Sequence, residues 1–266
     1  MACRLLGLAV RTGPVSAPAI SFHNLTLGYD RHPAVHHITG EVAQGALLAV
    51  VGSNGAGKST LLKAIVGELK PLSGRLDLHG NGKHDIAYLP QVVDIDRGFP
   101  ISVFDCVAMG LWHETGASGG LDPSCDARVA EALETVSLTG LAARPVGALS
   151  GGQFQRVLFA RLLLQDAKII LLDEPFRAVD ARTIADLIRL IGQWQGEGRT
   201  VIAVLHDIEL VRRYFPETLL LARDVLAWGE TPSVLTPVNL DRSRRFDEAF
   251  DDHAAVCHTD EARETA

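Results

Sequence analysis

Gly52-Ser53-Asn54-Gly55-Ala56-Gly57-Lys58-Ser59-Thr60 is the stretch that decides how this chain folds. Upstream of it, Leu47-Leu48-Ala49-Val50-Val51 is a short unbroken apolar run, the pattern of a strand buried on both faces. Downstream, Leu61, Leu62, Ala64, Ile65 and Val66 recur at helical spacing. Strand, glycine-rich turn and helix in that order make a phosphate cradle. Gly52, Gly55 and Gly57 allow backbone conformations closed to residues with a Cβ, so successive N–H groups converge on one concavity. The helix starting near Lys58 points its positive dipole end at the same place. Lys58 adds a full charge for the β- and γ-phosphates of a nucleotide, and the Ser59 hydroxyl is placed to ligate Mg²⁺. Ser53, Asn54, Ala56 and Thr60 complete the nucleotide-binding loop.

The chain has 266 residues, enough for one large domain or two small ones, and 47% of them are apolar, which marks a globular chain rather than a disordered one. A net charge of −7, with no run of Lys or Arg, argues against a nucleic-acid surface. Cys3, Cys106, Cys125 and Cys257 have no paired spacing and read as reduced thiols of a cytosolic protein. No apolar run is long enough to cross a bilayer, so work at a membrane would need another chain to supply the membrane part. Arg4 and the apolar residues 5–10 faintly imitate a signal peptide, but the segment is short and interrupted by Gly7. Residues 1–18 are therefore read as a loose leader.

From residue 19 to the phosphate loop the pattern is strand-like over 20–22, 25–29, 35–38 and 41–51. Tyr29 stands just upstream of the loop with an aromatic face on which a purine can stack. The helix after the loop is expected to stop around 67–69, before Pro71 and the Ser73-Gly74 turn. Strands are expected over 75–79 and 86–89, with the Asn81-Gly82 pair between them as a hairpin signal. Pro90-Gln91 closes the second of these, leaving Gln91 to offer an amide oxygen to Mg²⁺ or to a water. Residues 92 to about 148 change character. Helical patterns through Val107 and Met109 and over 127–136 flank a polar Gly/Ser/Asp stretch at 116–124, which suggests a mostly helical insertion into an α/β core. Its apolar residues read as its own core, with Phe99, Ile101 and Phe104 as candidates for a partner groove.

A second phosphate-seeking helix start follows at Leu149-Ser150-Gly151-Gly152-Gln153. The first loop already surrounds a triphosphate on its own side. The second motif therefore has work only if it faces a nucleotide held by another subunit, as in a twofold dimer with two shared sites. Ile169-Ile170-Leu171-Leu172 leads to Asp173 and Glu174 at the edge of a sheet where ligands bind in open α/β folds. Asp173 suits Mg²⁺, and Glu174 suits polarising an attacking water. Asp180 is a natural N-cap for the next helix. The strand 200–205 ends in His206 at the same edge, within reach of a γ-phosphate. A closing hairpin over 219–221 and 225–228 and a short helical end follow. The charged tail carries His253, Cys257 and His258 among acids, a composition that fits a solvated tail better than a metal site.

In this order, the loop 52–60, Gln91, 149–153, 173–174, Asp180 and His206 resemble the ATP-binding subunits of ABC transporters, along about residues 19–240. The resemblance implies an α/β fold: a P-loop, RecA-like ATPase core with an N-terminal antiparallel β-subdomain and an α-helical subdomain inserted at about 92–160. One domain would span 19–245, with 246–266 as a charged tail. The resemblance further implies ATP and Mg²⁺ as cofactors. Glu174, His206 and Gln91 would be catalytic, Ser59, Gln91 and Asp173 would be at the metal, and Tyr29, the loop, Ser150, Gly151, Gly152, Gln153 and Asp180 would be at the nucleotide. Asp180 would act across a head-to-tail homodimer that closes on two ATP molecules. Integral membrane permease subunits and, through them, an extracytoplasmic solute-binding protein are the implied partners, at the cytoplasmic face of the membrane and without nucleic acid. Asp94-Ile95-Asp96, Phe99-Pro100-Ile101, Val103, Asp105 and Val107-Ala108-Met109-Gly110 resemble the zinc and manganese uptake branch, near the iron-chelate importers. Leu111-Trp112-His113 departs from that branch where a basic residue is usual. The resemblance favours zinc over manganese, although no residue selects a metal. A soluble ABC ATPase acting on DNA or ribosomes would call for a second cassette, a coiled coil or basic arms. A purely regulatory nucleotide-binding module would have no need of Glu174 and His206.

Overall fold

The computed structural model describes residues 17–29, 32–91, 100–116, 123–177 and 179–248. Its centre is a six-stranded sheet built from β3 (Leu47–Val51), β5 (Ile86–Leu89), β6 (Ile169–Asp173), β7 (Thr200–Val204), β8 (Glu217–Ala222) and β9 (Asp224–Glu230), in the order β5-β6-β7-β3-β8-β9. All neighbours are parallel except the final hairpin of β8 and β9. Every residue of β3, β6 and β7 is buried, which is why these stretches read as unbroken apolar runs rather than alternating ones. Their side chains alternate between two cores. Leu48, Val50, Leu171 and Val204 pack with α1 (Lys58–Val66), while Leu47, Ala49, Val51, Leu172 and Ala203 pack toward α5 (Gly151–Leu164) and α6 (Ala181–Gly196). Phe159 of α5 stacks on Trp194 of α6 with ring centroids 5.7 Å apart, closing that second core.

A separate three-stranded antiparallel sheet, β2-β1-β4, covers the α1 face: β1 (Pro18–Tyr29), β2 (His32–Ala43) and β4 (Ser73–Asp77). Here the structure corrects the expected strands in three places. The segments 20–22 and 25–29 are one strand, carried through register shifts between Phe22 and Leu25 and between Leu25 and Leu27, so a bulge had looked like a gap. The run 41–51 is instead two strands, β2 and β3, split by a turn at Gln44-Gly45. The Asn81-Gly82 pair is not a hairpin turn. β4 pairs with β1 in the small sheet while β5 pairs with β6 in the large one, and a 3₁₀ turn over Lys83–Asp85 carries the chain between them. Asp85 fixes that turn by accepting from Gly82 N at 2.8 Å and pairing with Lys168 at 2.8 Å.

The insertion is helical as expected, with α2 (Val103–Ala108), α3 (Trp112–Thr115) and α4 (Pro123–Thr135) gathered around α5. Ser102 starts α2 by accepting from Asp105 N at 3.0 Å. Its apolar residues do not form a private core: Val103, Val107, Leu111, Val129 and Leu133 belong to the same cluster that continues under the main sheet, with Ile101 and Phe104 packed half-buried against it. The contact is close. A Cβ on Gly110 would lie 2.4 Å from the Arg161 carbonyl of α5, so only glycine fits there. At the other end, α7 (Ile208–Tyr214) is capped by Asp207, and α8 (Thr231–Val234) leads into α9 (Pro237–Glu248), which packs on β8 and β9. Among the described residues, no helix is long and apolar enough to cross a membrane. Asp94, Ile95, Asp96 and Phe99, the leader up to residue 16, and the tail with His253, Cys257 and His258 lie outside the described residues.

Candidate nucleotide site

At the C-terminal edge of β3, β5, β6 and β7 the chain leaves a cleft of about 730 Å³. The phosphate loop supplies Asn54, Gly55, Gly57, Lys58, Ser59 and Thr60 to its wall; Gln91 comes from the end of β5, Glu174 and Arg177 from the turn after β6, His206 from the end of β7, and Ala34 from β2. Gly57 sits at φ +90°, and a Cβ on it would meet Val35 Cγ2 at 2.1 Å, so β2 can lie directly over the loop only because no side chain intervenes. No side chain caps α1, which leaves its N-terminal N–H groups to a ligand. Lys58 is buried, and its Nζ donates to the Gly52 carbonyl at 2.9 Å and to the Ser53 carbonyl at 2.5 Å, so that the loop wraps its own lysine. Ala56 is buried beneath the loop.

The two acids at the end of β6 differ in placement: Glu174 lines the cleft, whereas Asp173 is buried behind the lining. Asp173 is 2% exposed, and burial pushes its carboxyl above the usual range against the opposing pull of the Ser59 hydroxyl and Lys58. Its Oδ1 is buried with no hydrogen-bond partner among the described residues. An orphaned carboxylate oxygen beside the Ser59 hydroxyl, with Ser59 and the Gln91 amide both on the cleft, is a hard oxygen donor set of the kind Mg²⁺ takes. Glu174 is different. Burial pushes its carboxyl up, but hydrogen bonds from His206 and Gln91, with the charges of His206 and Arg177, outweigh this and hold it below the usual range. Its Oε1 lies 2.6 Å from His206 Nε2 and its Oε2 3.9 Å from Arg177 Nη1. Its backbone is left-handed at φ +50°, unusual for a residue with a side chain, and is held there by its N–H donating to the Val204 carbonyl at 3.1 Å.

The remaining predicted residues gather elsewhere. Ser150 caps α5, its Oγ accepting from Gln153 N at 3.2 Å while Gln153 Oε1 accepts from Ser150 N at 3.0 Å. Asp180 caps α6 by accepting from Thr183 N at 2.9 Å and Thr183 Oγ1 at 2.8 Å, and its Oδ2 would lie 3.0 Å from a Cβ on Gly152. The structure thus joins Ser150, Gly151, Gly152 and Gln153 to Asp180 as one surface group, with Gly152 and Gln153 half-buried, and leaves that group off the cleft that holds Lys58 and Glu174. Tyr29, at the end of β1, is 48% exposed and also stands off the cleft lining. Sequence reasoning missed Arg177 and Ala34. A cation three residues beyond Glu174 in a turn was the available signal for Arg177, whereas Ala34 reaches the site only through the β2 packing.

Comparison with known proteins agrees with this geometry. Residues 35–177 match the ABC transporter family. The zinc transport system ATP-binding protein TroB of Treponema pallidum is 38% identical over 232 residues, covering 86% of this chain and 87% of that protein. The manganese transport system ATP-binding protein MntB of Listeria monocytogenes is 37% identical over 221 residues, covering 82% and 92%. Among solved structures, a candidate metal-chelate type ABC transporter in an inward-facing conformation superposes with a TM-score of 0.77 at 31% identity, over 86% of this chain and 90% of that one. With its phosphate loop, acidic strand end and histidine assembled on one cleft, this chain belongs to the ABC transporter family, as an ATP-binding cassette whose reaction is ATP hydrolysis.

Proposed function

We propose that the chain is the ATPase subunit of a divalent-metal importer, that its cargo is zinc, and that it works as a homodimer beneath integral membrane permease subunits at the cytoplasmic face, fed by an extracytoplasmic solute-binding protein. Residues 19–245 would form the one ATP-binding domain. The observation that carries the hydrolytic part is the placement of Glu174, braced by His206, on the same cleft as Lys58 and Ser59. Lys58 and the loop amides hold the phosphates, Glu174 orients the attacking water and accepts its proton, and His206 keeps the carboxylate aimed. Ser59, Asp173 and Gln91 would hold Mg²⁺, which when bound neutralises charge on the phosphate oxygens. Positioning and electrostatics supply most of the acceleration, since phosphoryl transfer asks little covalent chemistry of the protein. The separation of Ser150 from the Lys58 cleft within one chain supports the dimer, in which Ser150, Gly151, Gly152, Gln153 and Asp180 complete the partner's site and Tyr29 stacks on the base.

The metal cargo is supported by the names of the relatives: TroB is a zinc system protein, and MntB, at nearly the same identity, favours manganese as the second reading. The test is ATPase activity of the assembled transporter in vesicles, with the binding protein loaded by zinc, manganese or an iron chelate. Zinc should stimulate strongly and the others weakly. Stimulation by manganese alone selects the second reading.

A further inference from the structure

Among the residues lining the cleft, two carry a permanent positive charge, Lys58 from the phosphate loop and Arg177 from the turn after β6. Lys58 is bound into the loop through the Gly52 and Ser53 carbonyls. Arg177 stands beside Glu174, its side chain 67% exposed and its Nη1 3.9 Å from Glu174 Oε2. Its position is fixed at the root: Arg177 N donates to the Glu174 carbonyl at 3.2 Å, closing a turn through Pro175 and Phe176, and Phe176 packs against the core. The guanidinium can therefore swing while its Cα stays beside Glu174.

We infer that Arg177 distinguishes nucleoside triphosphate from diphosphate, its guanidinium moving from Glu174 Oε2 onto the terminal phosphate. The inference rests on the proposed seating of the nucleotide with that phosphate toward Glu174. A terminal phosphate there meets a carboxylate, and like charges at close range repel. Lys58, held on the loop, meets the β- and γ-phosphates from the loop side, and the repulsion between the terminal phosphate and Glu174 is offset by the cation that stands beside that carboxylate, Arg177. A diphosphate ends short of that carboxylate and has no use for Arg177. The transfer also frees Oε2 for water while Oε1 remains with His206, so the carboxylate becomes available without losing its orientation.

The test is equilibrium binding of the β,γ-imido analogue of ATP and of ADP, each with Mg²⁺, to the full chain and to its Arg177→Ala, Arg177→Gln and Arg177→Lys variants. Arg177→Ala and Arg177→Gln should weaken the triphosphate about fivefold, the scale of a partly exposed charge pair, and leave ADP within about twofold. Arg177→Lys should fall between, having the charge but not the fork. Retained ADP binding certifies that each variant is folded. Equal loss for both nucleotides, or no loss for either, overturns the inference. If the unmodified chain binds neither nucleotide, the seating itself is wrong and the inference falls with it.

Discussion

Glu174 Oε1 and His206 Nε2 meet at 2.6 Å across the ends of two adjacent strands, β6 and β7, so the sheet itself holds the pair in register. Asp173 pairs with Val204 at the end of the ladder; Glu174 follows one residue on and His206 two residues on, and their side chains meet just beyond the sheet edge. Removing the imidazole leaves burial as the dominant influence on Glu174. In His206→Ala the Glu174 carboxyl should therefore titrate at higher pH than in the unmodified chain, measured by ¹³C NMR of labelled glutamate, and turnover should fall about 10²-fold. A carboxyl held below its unfolded value contributes stability above that unfolded value and loses it as pH falls through the folded one, so the His206→Ala change should be felt at neutral pH and vanish in acid.

Glu174→Gln keeps the size and the hydrogen-bonding reach of the side chain but cannot take a proton from water. Hydrolysis should drop by about 10²–10⁴ with nucleotide affinity retained. Steady-state phosphate release beside equilibrium binding checks both halves; near-normal turnover would remove Glu174 from the role.

Asp173 stores an opposite effect. Its folded carboxyl is raised by burial, so its ionised form opposes folding above the unfolded value and this opposition disappears in acid. Asp173→Asn should then stabilise the nucleotide-free chain at pH 7 by about 1 kcal/mol in urea unfolding while abolishing Mg²⁺-dependent turnover. A destabilised Asp173→Asn chain would show that the buried oxygen is satisfied in solution.

The parts of this protein that could be read from residues alone are those where burial and chemistry act locally. The apolar run 169–172 had to be a two-sided buried strand, and Asp173 and Glu174 had to emerge at its end. The phosphate loop likewise carries its geometry in its own glycines. What was hidden depends on distant partners. Only the pairing of β4 with β1 rather than with β5 reveals that Asn81-Gly82 is not a hairpin, and only the bulged ladder with β2 makes 18–29 one strand. The insertion's core could not be seen to run on beneath the main sheet, because nothing in helical periodicity says which neighbour an apolar face meets. Arg177 belongs to no motif and reaches the cleft by the length of its side chain.

Ser150 caps α5 and is exposed, so a large cation at its place should be tolerated by the fold apart from the lost cap, about 1 kcal/mol. Ser150→Arg should abolish hydrolysis by the assembled transporter while the isolated chain still binds ATP. Loss of ATP binding by the isolated chain would place Ser150 in its own chain's site.

The proposal that two copies finish each other's pockets is met most directly by cross-linking. Cysteines introduced as Ser150→Cys and Asn54→Cys, in a chain carrying Glu174→Gln and lacking Cys3 and Cys257, should oxidise to a covalent dimer when ATP and Mg²⁺ are present and stay monomeric without them. An intrachain bond that migrates as monomer, or a dimer that forms equally well without ATP, would contradict the account.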